Sequence, residues 1–186
     1  MPKIVYLVTT NKMKVLVARG VIDDKDLKIK QLSIETPEIQ SLDVKEIVNF
    51  SAKWAAEKFK KPVIKSDTSL WIDALNGFPG PFTHYIDKTL GPEGILKLMA
   101  KIKNRKAKII TAVAFCRPGK KPIVSISELE GKISKKLEGE YGWFSDFFFI
   151  PKGYKKPMGF FPDEERKKIW PQDCWKKIAK IIKSRQ

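Results

Sequence analysis

The chain has 186 residues, 42% of them hydrophobic, and 37 basic against 21 acidic side chains give it a formal charge of +16. That length suits one domain or two closely joined lobes around a real core, and no apolar run approaches the roughly 20 residues of a membrane span. The two cysteines, Cys116 and Cys174, are too few and too far apart for a metal knuckle or a disulfide framework, and read as buried thiols.

The charge admits two readings. One is attraction to phosphates, on nucleotides or on nucleic acid. The other is a lysine-rich solvated surface, as hyperthermophile proteins carry. The lysines run along the whole chain instead of massing in one tail. Met1-Pro2-Lys3-Ile4-Val5-Tyr6 enters a strand pattern without a signal-peptide layout, so a cytoplasmic protein with no membrane partner is expected.

Taken in order, Lys3 to Thr9 is a short apolar run that fits a buried parallel strand. Lys12 to Arg19 has helical character, with Thr10 or Asn11 as N-cap and Gly20 as a plausible C-cap. A strand turning directly into a helix N-terminus suits an anion, and Lys14 could add a point charge for a phosphate; taken alone, these residues read first as an ordinary turn with a surface lysine. Leu27 to Ile34 alternates as a half-exposed strand, and a loop with Glu38 follows. Asp43 to Lys60 carries a helical stripe. Pro62 to Ser66 then reads as a strand that ends at Asp67, which either caps a turn before a plain loop or presents its carboxylate at the sheet edge where α/β proteins bind ligands. Two successive βαβ units make this an α/β lobe, about residues 1–75.

Asn76-Gly77-Phe78-Pro79-Gly80-Pro81 predicts a turn-rich wall beside that site. Pro92 to Ile102 reads as a helix. Ala107 to Arg117 and Pro122 to Leu129 read as strands joined by a hairpin, with Gly131 to Leu137 as a candidate extension, in a β-rich lobe of about 76–150. Tyr141 to Pro151 is the most aromatic stretch and fits core packing or stacking on a base. Pro162 to Lys168 opens a short helix, Trp170-Pro171 interrupts it, and Gln172 to Ser184 makes a final basic helix. All of 1–186 is expected to form one such domain, the C-terminal helices belonging with the first lobe.

Four pieces then stand in order: Thr9-Thr10-Asn11 with Lys14, Pro37-Glu38-Ile39-Gln40, Ser66-Asp67-Thr68-Ser69-Leu70 with Ala74 to Pro81, and Gly91-Pro92-Glu93-Gly94-Ile95-Leu96. Together they resemble the inosine triphosphate pyrophosphatase family, in its archaeal form, over nearly the whole chain. The resemblance implies a two-lobed α/β fold, a mixed sheet flanked by helices with a nucleotide cleft between the lobes, usually as a homodimer. It implies magnesium-dependent cleavage of non-canonical purine nucleoside triphosphates into monophosphate and pyrophosphate. On that pattern Asp67 is the catalytic carboxylate that orients or deprotonates water. Thr10, Asn11, Lys14 and Lys53 match phosphate-binding positions, and Glu38 with Asp67 the metal-binding carboxylates. Phe149, Asp146 and Thr68 match nucleoside-binding positions, Phe149 as the ring that stacks on the purine.

The chain departs from the family where it has Val17, Ser66 in place of a second acid, Ser69, the Phe160-Phe161 segment, and Trp170-Pro171-Gln172 in place of a Ser-His-Arg triplet. His84, the single histidine, lies elsewhere in sequence. The phosphate and metal half of the pattern is partly kept and the base-reading half rewritten. An active pyrophosphatase, a binding-only relative, and a nucleic-acid binder on the +16 surface are the three readings, and the joint presence of Glu38 and Asp67 favours the first.

Overall fold

The pattern of buried side chains explains each element at the N-terminal end. In the computed structural model, which describes residues 2–184, β1 (Lys3–Val8) buries Val5, Leu7 and Val8. It pairs in parallel with β2 (Leu27–Leu32), in register from Lys3 with Leu27 to Val8 with Leu32. Its other edge takes the start of β3 (Val63–Ile72), with Tyr6 opposite Val63. Helices α1 (Lys12–Ile22) and α2 (Val44–Phe59) are the two crossovers. Asp43 caps α2 by accepting the Lys45 backbone N–H at 2.8 Å, and Lys60 ends it in the left-handed conformation.

Several spans differ from the pattern reading, each for a local reason. Helix α1 runs past Gly20 to Ile22, because Ile22 is buried at 1% exposure and burial outweighs the cost of one helical glycine. Strand β3 does not end at Asp67; it continues five residues further, and Leu70 and Trp71 pair antiparallel with β4 (Pro79–Gly80). The turn-rich wall contains β4 and leads into a helix that the pattern reading leaves unassigned, α3 (Thr83–Thr89), tied down by Thr83, whose hydroxyl donates to the Gly80 carbonyl at 2.7 Å and accepts the Leu70 N–H at 2.9 Å.

The remaining elements are α4 (Gly91–Leu98), β5 (Lys106–Cys116), β6 (Ile123–Ile133), β7 (Phe149–Pro151), α5 (Asp163–Ile169) and α6 (Asp173–Ser184). Helix α4 stops short of Ile102. Strand β6 runs through Gly131 as one strand, since a Cβ there would strike the Ile150 carbonyl and the Phe149 ring of β7. The mixed sheet has the order β2-β1-β3-β5-β6-β7, with β4 paired to β3.

Contacts divide the chain into two units. The first comprises Met1–Asp67, Thr111–Ser127 and Pro171–Gln186. In it α6 lies against α1 and buries Cys174, Trp175, Ile178, Ala179 and Ile182, turning Lys176, Lys177, Lys180 and Lys183 outward. The second comprises Thr68–Ile110 and Glu128–Trp170, with a core that includes Leu70, Ile72, Ile95, Met99, Phe144, Phe148, Phe149 and Met158. No helix among the described residues is long and apolar enough to cross a membrane.

Gly20 has ordinary helical backbone and open space where a Cβ would stand. Gly20→Ala should therefore raise stability by about 0.5–1 kcal/mol. Urea unfolding of the two proteins, with an unchanged m-value, checks this.

Candidate active site

In the first unit a polar cluster forms where α1 begins. Asn11 is the N-cap: its Oδ1 accepts the Met13 and Lys14 N–H groups at 2.8 and 3.2 Å, and its own N–H donates to Thr9 Oγ1. With Oδ1 engaged in this way, the amide NH₂ is the part of the side chain left for an anion. Lys14, one turn on, sends its ammonium to the Ser66 carbonyl at 2.9 Å, immediately before Asp67 on β3. Burial pushes the Lys14 ammonium below the usual lysine range. Asp67 opposes that shift, Lys65 adds to it and Glu38 opposes it. Four ionisable side chains thus share one electrostatic neighbourhood.

Lys65 is the member that the motif reading leaves out. It precedes Asp67 by two on a strand, so both side chains stand on one face. Its side chain is 11% exposed, and its Nζ lies 3.5 Å from Glu38 Oε1, on a carboxylate that is half exposed. Glu38 belongs to the segment after β2, which has no regular structure but is anchored where the buried Ser51 hydroxyl of α2 donates to the Pro37 carbonyl at 3.0 Å. Thr10 is exposed at the end of β1. Lys53 is exposed on α2, and its charge is felt at Glu57 and Cys116 instead of at Lys14. Strand alternation was the signal that could have picked out Lys65.

In the second unit the aromatic stretch separates into buried and exposed parts. Phe149 is 0% exposed, inside the core, so its ring offers no face to a base in this conformation. Tyr141 and Trp143 are the exposed aromatics of the segment, at 43% and 41%. Trp143 is held on several sides: the indole N–H donates to Asp87 Oδ2 at 2.8 Å, the backbone N–H to Asp146 Oδ2 at 2.9 Å, and the ring lies 6.0 Å from the His84 ring and 5.6 Å from that of Phe144. His84 is thus in space a neighbour of Trp143, which its sequence position conceals. A run of aromatic residues carries no signal to tell such a ring from a core ring. Thr68 is half-buried on β3.

Asp146 and Arg166 are both buried, with Arg166 Nη1 3.5 Å from Asp146 Oδ2 and Nη2 donating to Asp163 Oδ1 at 2.5 Å. Gly142, at φ +102°, lies so close that a Cβ would strike both side chains. Asp146 Oδ1 and Arg166 Nε have no hydrogen-bond partner among the described residues. Burial lifts the Asp146 pKa to about 6, although Arg166 pulls it down. Trp170, at the first position of the rewritten triplet, packs on this unit's core.

A family model described as the Ham1 family matches residues 5–172. The chain is 38% identical over 165 residues to a dITP/XTP pyrophosphatase of Methanopyrus kandleri, covering 89% of this chain and 88% of that protein. It is 36% identical over 182 residues to a protein of the same description from Ignicoccus hospitalis, covering 97% of each. In fold it is similar to the Staphylococcus aureus Ham1 protein, with a TM-score of 0.82 over 99% of this chain and 100% of that one, at 19% identity.

The raised Asp146 pKa has a stability consequence. Between the unfolded value, near 3.9, and about 6, the folded protein binds more protons than the unfolded chain. Stability therefore falls as pH rises through that window. Relative to Asp146→Asn, the wild type should lose up to about 1.4 kcal/mol per pH unit between pH 4 and 6. Denaturant unfolding of both proteins across that interval checks the sign; a constant difference would refute the assignment.

Proposed function

The chain belongs to the Ham1 family, and from that membership we propose that it is a nucleoside triphosphate pyrophosphatase. Water adds across the bond between the α and β phosphates, releasing nucleoside monophosphate and pyrophosphate. The observation that carries this reading is the cluster at the start of α1, where the Lys14 ammonium, held against the β3 backbone, stands in the field of Asp67 and Glu38. A triphosphate needs fixed cations to spread its charge and a carboxylate to direct water, and these residues supply both.

Each group takes a role its surroundings suit. Lys14 and Lys65 neutralise phosphate oxygens as point charges. The Asn11 amide and the exposed Thr10 hydroxyl donate to the same oxygens, and Lys53 on α2 is a further cation for the chain of phosphates. Asp67 orients the attacking water and accepts its proton. Glu38 and Asp67 are the residues that would hold a divalent cation, magnesium in this reading. Among the described residues no three His, Cys, Asp or Glu side chains converge, and two carboxylates suit an ion that completes its shell with phosphates and waters. When bound, magnesium withdraws charge from the phosphate oxygens.

For the base, the resemblance points to Phe149, Asp146 and Thr68 of the second unit; Phe149 and Asp146 are buried there and Thr68 is half-buried. The substrates named for the relatives, dITP and XTP, both carry an oxygen at the purine six-position, and that class is the proposed substrate here. Trp170-Pro171-Gln172 lacks the family's imidazole and guanidinium, so discrimination against adenine is expected to be weaker than a fully hydrogen-bonded site achieves. The family resemblance further implies a cytoplasmic homodimer.

Pyrophosphate release from inosine, xanthosine and the four standard triphosphates, with magnesium, tests the reading. Inosine and xanthosine triphosphates should be cleaved fastest, and Asp67→Asn should lower kcat about 10²–10⁴-fold. Release that is untouched in the variant, or no release from any triphosphate by the folded protein, would reject it.

A further inference from the structure

We infer that Lys65 governs when the divalent cation enters: in the nucleotide-free protein its ammonium occupies Glu38, so the metal arrives with the triphosphate instead of waiting for it. This rests on the reading of Glu38 and Asp67 as the metal's carboxylates. The two partners are unequal. The Lys65 side chain is 11% exposed and rooted in β3, whereas Glu38 is 52% exposed in a segment without regular structure. A buried ammonium without a counter-charge is costly, and Glu38 Oε1, at 3.5 Å, supplies one. If the pair opens, Glu38, with more of its side chain in water and no regular structure around it, is the partner that can turn to solvent.

The sum of charges makes the same point. Lys14 and Lys65 stand with Asp67 and Glu38 in one electrostatic neighbourhood. Two ammoniums and two carboxylates are formally neutral, so a bare dication meets no excess of negative charge and a fixed ammonium that repels it. Magnesium also gives up its water reluctantly. A triphosphate reverses the balance: its oxygens take over as partners of Lys14 and Lys65, releasing Glu38, and bring their own ligands for the ion. Lys65 is therefore a positioning residue that acts on the metal through Glu38, without touching the ion.

The test uses the full-length protein without nucleotide, and Mn²⁺ followed by electron paramagnetic resonance as the probe. Wild type should bind Mn²⁺ weakly. Lys65→Met, which keeps the buried stem and removes the charge, should bind about tenfold tighter. Lys65→Arg should behave like wild type, and the gain should vanish when Glu38→Gln is added to Lys65→Met. A merely structural lysine would give none of this pattern. Lys65→Gln gives the same comparison should the methionine variant fail to fold, as judged by its denaturation midpoint. Equal Mn²⁺ affinity in wild type and the neutral variants, or a gain that survives Glu38→Gln, would overturn the inference. Because no turnover is read, its failure is distinct from that of the pyrophosphatase reading, which pyrophosphate release decides.

Discussion

An ammonium taken out of water has to be answered by nearby oxygen, and the first unit is arranged around two of them. Lys14 meets this need with the Ser66 carbonyl and the field of Asp67; Lys65 meets it with Glu38. These contacts lock α1, β3 and the segment after β2 into one register. The Asn11 cap fixes where α1 starts and so where Lys14 stands. The Ser51 bond to Pro37 holds the Glu38 segment near α2. The same groups that stabilise each other in the absence of ligand are those whose charges a bound triphosphate would redistribute, so local stability and ligand binding draw on one set of contacts.

The second unit faces the opposite difficulty, a charge pair with too few partners. Asp146 and Arg166 are buried, yet Asp146 Oδ1 and Arg166 Nε lack hydrogen bonds among the described residues. Desolvation then outweighs the attraction between them at Asp146, which is why its pKa rises beside an arginine instead of falling. Breaking such a pair is costly while keeping it adds little stability. Gly142 is the residue that allows the chain to close over it, since any side chain there would strike both groups. Asp146 of the pair holds Trp143 through its backbone N–H, and Asp87 holds the indole N–H.

Much of this was legible in the sequence. Apolar runs located β1 and β5, alternation located β2, and the helical stripe located α2, because those elements bury their apolar residues in a core. Asn11, Lys14, Glu38 and Asp67 were picked out by motif, and Asn11, Lys14 and Asp67 lie where a strand meets or neighbours a helix start. What failed to read depended on distant partners. Gly20 looks like a helix end until Ile22 is seen to need burial. Asp67 looks like a strand end because the partner that prolongs β3 comes only at Pro79–Gly80. Phe149 and Trp143 are alike by composition, and only packing sends one inward. Lys65 belongs to no motif, and its significance lies in Glu38, 27 positions away in the chain.

The departures at β3 reinforce one another electrostatically. The resemblance leads one to expect an acid beside Asp67, and the chain has Ser66, whose buried hydroxyl makes no hydrogen bond among the described residues. The residue before it is Lys65. One negative charge is absent and a positive charge stands next to the gap, so the strand brings less attraction for a bare dication and more for a polyphosphate. A second acid there would compete with Glu38 for Lys65, and without Lys65 the two remaining carboxylates would stand opposite a single ammonium. Either substitution alone would leave the cluster unbalanced; together they keep it neutral in the absence of ligand. That balance is what ties Lys65 to Glu38 and makes the phosphate oxygens, once present, the stronger claimants on both ammoniums.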